Sequence, residues 1–380
     1  MSLRFFYHEY FIEKKEHFRT CFKAGANLWT ILIKDTLIFL LIYIPLYYLY
    51  YHYIMNESSS RKQFEDAIHY FQKFADVVPL SVLLSFFVGA VLGRFWTMVL
   101  IMPKISNLVF YTDFMIRSRN KNDAVLEIKK YIIKNCIMAW ILNMLTQSSY
   151  IGKRFTRKKE KKFAFCNKFF NLFMTKYEVT SLDDLIDKIN DDFDVKKYTN
   201  ELIKKEERNI FKIRENSRPK YTPEWWLPFA WNARILCYSY QNDLFYSREL
   251  FDELRQAISE YRKKLADVRK FNQFRIPFIY SQAVIILIIV YCVTELFSVN
   301  MSMPPEGSNV RKIHIILQFF PIVILTRFTM YMGWFEVGLS LMNPLVEEKS
   351  QYSTEKLLKF NLGMASLYSF TDDMFIPSKF

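Results

Sequence analysis

Glycine is scarce in this chain, with 8 among 380 residues. None falls in a GxGxxG or GxxxxGK[ST] pattern, so a nucleotide-cradling loop is not expected. No GxSxG elbow and no HExxH pair occurs, and the five histidines (His8, His17, His52, His69, His314) lie apart. The five cysteines (Cys21, Cys136, Cys166, Cys237, Cys292) are odd in number and form no CxxC pair, which supports neither a zinc ribbon nor a disulfide framework. Nothing positions a nucleophile, a metal or a phosphate. The expectation is a protein that is not an enzyme, requires no cofactor and binds no nucleic acid. Residues 1–20 carry five acidic or basic side chains before position 16 and lack the apolar core of a signal peptide.

What is abundant is apolar and aromatic. Hydrophobic residues make up 51% and aromatics 18%, which rules out disorder as the main state. The apolar residues come in blocks. Residues 36–55, 77–93 and 276–294 contain no charge, and 313–335 contains only His314 and Arg327. Roughly twenty helical residues cross a bilayer core, so four membrane helices are expected. Tyr47, Tyr48, Tyr50, Tyr51 and Tyr53 crowd the second half of the first block, as at a headgroup boundary.

Charge sets the orientation. The block 102–273 holds 34 of the 52 Lys and Arg against 22 Asp and Glu. The connections 56–76 and 298–312 hold few basic residues. That places both termini and 102–273 in the cytosol. The two N-x-S/T triplets begin at Asn56 and Asn300, both in connections assigned outside, and are glycosylation candidates. The expected organisation is a cytosolic segment 1–30, two membrane helices with a short outer loop in 31–101, a cytosolic helical domain 102–273, two further membrane helices in 274–341, and a cytosolic segment 342–380.

Within the cytosolic block, 124–149 shows apolar residues at a period near 3.6, and 243–271 forms a second amphipathic helix. Ser181 followed by Leu182-Asp183-Asp184 reads as a capped helix start. The polar stretch 187–222 and the run Lys153–Lys162 read as solvated; an anionic-lipid patch is the other reading of that run.

The second apolar block carries the most information. Pro79 sits where a missing N–H costs least. Val78, Val82 and Phe86 fall at i, i+4 and i+8 on one helical face, beside Ser81 and Ser85, and Arg94 closes the block. A ring of such faces, one per subunit, would make a constriction that gates by dewetting. Periodicity alone fits plain packing equally well.

An ordered set of segments gives a family resemblance. Leu37 to Tyr43 after Lys34-Asp35, Pro79-Leu80-Ser81 with Gly93-Arg94-Phe95-Trp96, Trp225 to Trp231, Ile276 to Gln282, and Gly333 to Val337 followed by Met342-Asn343-Pro344 resemble the bestrophins in order and spacing over roughly 21–375. The chain looks like a divergent, invertebrate-type member of that chloride-channel family. The resemblance implies an all-α, multi-pass homopentamer in the plasma membrane, with chloride passing an axial hydrophobic neck at Val78, Val82 and Phe86, and Pro79, Ser81, Ser85 and Arg94 supporting it. It implies a second, cytosolic constriction near Glu249 or Leu250. It also implies a calcium clasp, at Ser340, Asn343, Glu347, Glu348 and Gln351. Here Lys349 adds a cation, and Gln351 stands where an aspartate is expected, so weak or absent calcium binding is expected. Alternatives are a non-conducting subunit, one that works only in heteromers with other members of the family, or, in a different class, a membrane enzyme or lipid-binding protein.

Overall fold

The computed structural model describes residues 28–49, 80–116, 123–156, 182–199, 201–216, 224–274, 276–298, 322–342 and 353–367, with a few positions between 62 and 73 and at 345. The described residues are helical; an isolated bridge between Ile116 and Phe245 is the one extended pairing among them. Two compact units divide the chain. The first comprises Met1–Arg94 and Ile276–Met342, the second Phe95–Arg275 and Asn343–Phe380.

The first unit contains α1 (Leu28–Leu49), the leading part of α2 (Leu80–Ile101), and the two helices that return late in the chain. The stretch Leu32–Leu49 within α1 and the stretch Leu80–Met115 that begins with α2 are long and apolar enough to cross a membrane. The later apolar run Gln282–Thr294 is shorter. Little of α1 is buried: Leu37, Leu41 and Ile44 face outward, Leu41 at 74% exposure. An aliphatic surface of this kind is stable against lipid, not water.

The second unit is organised around one helix. After α3 (Ser106–Met115), α4 (Asp123–Gln147) is buried without interruption from Ile132 to Leu145. α5 (Ser149–Phe155) starts at Ser148, whose hydroxyl accepts from Ile151 N–H. α6 (Leu182–Asp191), α7 (Phe193–Tyr198) and α8 (Lys205–Asn216) follow. α9 (Leu227–Gln241) and α10 (Arg248–Gln273) pack on α4; Asp243, in the turn between them, takes φ 53°, a region aspartate tolerates better than most residues. α11 (Phe278–Ser298) and α12 (Ile322–Met342) belong to the first unit, and α13 (Thr354–Leu367) to the second.

Two readings of the sequence are corrected here. Within 187–222, the described residues 187–199 and 201–216 are not a solvated helix and loop: Ile189, Val195, Leu202, Ile203 and Phe211 are buried in the core, and 217–222 lie outside the described residues. Charges in this stretch pair with partners on neighbouring helices. Arg208 bonds Asp183 at 2.6 Å and Asp187 at 2.9 Å, and Asn190 exchanges hydrogen bonds with the Ile203 backbone at 2.9 and 3.0 Å. Nor is the start of the basic run 153–162 a free surface. Phe155 and Thr156 are buried, and Arg154 bonds Asp192, Asp194 and the Tyr150 hydroxyl. Ser181 and residues 157–162 lie outside the described residues. The helix expected over 243–271 starts at Arg248, because the Ser247 hydroxyl accepts from Leu250 N–H at 3.3 Å and caps it there.

Candidate functional site

Two stripes with opposite surroundings run along α2. Leu80, Leu84, Phe87, Val88 and Val91 are buried, a set at i, i+4, i+7, i+8 and i+11. Phe87 is the anchor. Its ring lies 6.0 Å from that of Tyr280 on α11 and 6.1 Å from that of Phe335 on α12. Gly338, one turn on from Phe335, lets α12 approach closely: a Cβ there would stand 2.9 Å from Phe87 Cε1. The same unit is held elsewhere by Phe39 of α1 on Phe328 of α12, with ring centroids 4.4 Å apart, and by Tyr291 on Tyr331 at 5.1 Å.

That packing leaves the other stripe free. Ser81, Val82, Ser85 and Phe86 are exposed, Val82 at 49% and Phe86 at 68%. The Ser85 hydroxyl donates to the Ser81 carbonyl at 2.6 Å, so one of the two serines on this face spends its proton on the backbone. What remains is an apolar surface with small polar neighbours. Arg94 is half-buried at the end of the unit. Val78 and Pro79 lie outside the described residues. The sequence pattern finds the exposed stripe but misses Phe87, although the buried spacing around it is readable.

At the second candidate position, Glu249 is exposed in the first turn of α10. A hydrogen bond from Ser247, helped by a backbone N–H, holds its carboxyl below the usual range. Leu250 is half-buried against the core. Of the clasp positions, Ser340 is described and donates to the Val337 carbonyl at 2.9 Å. Asn343, Glu347, Glu348 and Gln351 lie outside the described residues, as do Asn56 and Asn300. Among the described residues no three His, Cys, Asp or Glu side chains gather as a metal site.

The second unit carries polar anchors that the sequence does not announce. Lys134, 8% exposed, bonds Glu207 at 3.2 Å; burial pulls its ammonium below the usual lysine range, and Glu207 opposes that pull. Asn232 receives a bond from Asn135 at 2.8 Å and donates to the Ile132 carbonyl at 3.1 Å and to Cys136 Sγ at 3.3 Å. Burial pushes the Cys136 thiol up to about 12, so it is inert at neutral pH.

A chain whose described residues are helical, and whose bilayer-length apolar helices turn aliphatic faces outward, is a protein of the helical membrane class. A sequence model of the family described as "Bestrophin, RFP-TM, chloride channel" matches residues 9–209 and 182–369. The chain belongs to the bestrophin family. It is 23% identical over 348 residues to Bestrophin homolog 1 of Caenorhabditis elegans, covering 91% of this chain and 68% of that protein. To mouse Bestrophin-2 it is 21% identical over 356 residues, covering 93% of this chain and 61% of that protein. It is 23% identical over 346 residues to Bestrophin-6 of Caenorhabditis elegans, covering 91% and 77%. The chain thus spans about three-fifths to three-quarters of the length of these relatives.

Proposed function

We propose that this chain is a subunit of an anion channel whose narrowest apolar passage is formed by Val78, Val82 and Phe86. The observation that carries the reading is the division of α2. One side is consumed by Leu84, Phe87 and Val91, while Val82 and Phe86 project from the other. Family membership makes copies of α2 around an axis the natural occupant of that free side, and five is the number the resemblance implies. An apolar ring excludes water until it widens, which suits a gate. Helix N-termini facing the passage would draw anions without a lysine ring.

Four membrane crossings go with this reading, α11 and α12 supplying the last two beside α1 and α2. Both termini and the second unit then face the cytosol, Asn56 and Asn300 face outside, and the plasma membrane is the site of action. Chloride is the permeant ion. With Lys349 inside the clasp sequence and Gln351 in place of an acid, calcium is not the trigger.

Expression of this chain alone, followed by patch clamp with chloride replaced by gluconate, tests the reading. A chloride current altered by Phe86→Ala and insensitive to Glu348→Ala is expected. Purified protein should run as a pentamer in detergent. No current alone, but current on co-expression with another member of the family, would make this a heteromer-only subunit. A monomeric particle would end the channel reading.

A further inference from the structure

In the second unit, five deeply buried polar atoms have no hydrogen-bond partner among the protein groups: Asn135 Oδ1, Trp140 Nε1, Asn143 Oδ1, Tyr261 Oη and, on α13, Asn361 Nδ2. Most buried polar atoms find a partner, and each one that does not costs the desolvation of an unpaired group. Here the helix register brings Trp140 and Tyr261 to nearly one level, with Asn143 about one turn further along α4. Asn143 Nδ2 donates to the Leu265 carbonyl at 3.0 Å, and Asn272 Nδ2 to Gln147 Oε1 at 2.7 Å, so α4 and α10 run in the same direction. Tyr261 lies four residues before Leu265, about 6 Å along the axis, and Trp140 three before Asn143, about 4.5 Å. Trp140 and Asn143 share a face of α4. On the α9 side, the Phe229 ring is 6.2 Å from that of Tyr261, while Asn232, three residues on, bonds Asn135 at 2.8 Å. α9 therefore runs against α4 and closes the same level from the other side.

We propose that Tyr261, Trp140 and Asn143 form an internal hydration site that holds at least one ordered water between α4, α9 and α10. The chemistry selects a small neutral ligand able both to donate and to accept. Trp140 Nε1 can only donate, Asn143 Oδ1 can only accept, and the Tyr261 hydroxyl does either. A charged guest would find no counter-ion: the titratable neighbour on this face of α4 is the Cys136 thiol, which is protonated, and Lys134 is engaged by Glu207. Buried waters typically make about three hydrogen bonds, which matches the three groups. Asn135 Oδ1, one to two turns away on α4, extends the site toward Asn232. The bridge would add a further polar link between α4 and α10, beside the bond from Asn143 to the Leu265 carbonyl.

The test uses the purified full chain and does not depend on conduction. If water bridges these groups, Tyr261→Phe removes a used hydroxyl, and the melting temperature falls by about 2–4 °C. If the hydroxyl is an orphan, its removal relieves a penalty and the variant melts at or above the parent; that result overturns the proposal. A density map at about 2 Å gives the second readout. A solvent peak in hydrogen-bond reach of Tyr261 Oη and of Trp140 Nε1 or Asn143 Oδ1 is expected. Its absence overturns the proposal even if Tyr261→Phe fails to fold.

Discussion

Phe86 and Phe87 are adjacent in the chain and opposite in surroundings: Phe87 is fully buried between Tyr280 and Phe335, while Phe86 is 68% exposed. One residue rotates the side chain by about 100° around the helix. The rotation separates a structural ring from one free for function. Phe87→Ala should destabilise the protein by about 3–5 kcal/mol through the cavity it leaves. Phe86→Ala should change stability by no more than about 0.5 kcal/mol and should alter anion conductance. Thermal melting and whole-cell current on the two variants check the contrast. Equal effects of the two variants on melting would contradict it.

Gly338 marks the closest approach of α12 to the buried side of α2. An added Cβ would meet Phe87 Cε1 at 2.9 Å and Val88 Cγ2 at 3.2 Å. The Phe87 ring is boxed by two other aromatic rings and has little room to yield. Gly338→Ala should therefore cost about 1–3 kcal/mol by overpacking. Gly89 and Gly93 on α2 have no atom within 4 Å of such a Cβ, so alanine there should be accommodated by the fold. Comparing the yield and melting temperature of the three variants measures this.

The parts of the fold legible in the sequence are those set by local period. The apolar repeat over 124–149 is strong, and α4 spans Asp123–Gln147 accordingly. The stretch 187–222 misleads because its composition is polar. Yet the helix leading into it, α6, buries Leu182, Leu185, Ile186 and Ile189 at i, i+3, i+4 and i+7, a spacing written in the residue order itself. Its charges hide that pattern, since pairs such as Asp183 with Arg208 join residues 25 apart. Pairings at still longer range leave no sequence signal. Asn135 meets Asn232 across 97 residues and Lys134 meets Glu207 across 73, and both depend on tertiary register. The exposed stripe at Val82 and Phe86 is legible as a stripe. Its freedom is not, because that follows from what α11 and α12 cover.

Glu207 holds two positions at once. It pairs with the buried Lys134 at 3.2 Å, and its carboxylate accepts Lys204 N–H at 2.8 Å, closing the start of α8. Glu207→Gln keeps an acceptor for the backbone and removes the charge. The stripped ammonium should then destabilise the second unit by about 3–5 kcal/mol at neutral pH. Burial already pulls Lys134 below its ordinary value, so the variant can recover by deprotonating as pH rises toward the lysine range. Replacing both residues, as Lys134→Met with Glu207→Gln, should cost less than Glu207→Gln alone. Melting curves of the single and double variants at two pH values decide it.

Cys136 makes the fold sensitive to alkali. Its thiol is pushed from 9.0 to about 12 by complete burial, against a weaker opposing pull from the Asn232 amide. The sign follows from proton counting. Between these two values the unfolded chain has lost the thiol proton and the folded chain keeps it, so the folded state binds more protons and loses stability as pH rises. The contribution is intact below pH 9 and declines through the window up to about 12, with a slope of about 1.4 kcal/mol per pH unit for one proton. The buried phenol of Tyr261 and the half-buried one of Tyr198, both raised by desolvation, steepen the loss above pH 10. Cys136→Ala should melt lower at neutral pH, because it loses packing, and should show a shallower decline between pH 9 and 10, where the thiol acts before the phenols. Unfolding midpoints of the two proteins at half-unit pH steps measure the difference; parallel declines in that interval would show that the Cys136 proton is not part of the balance.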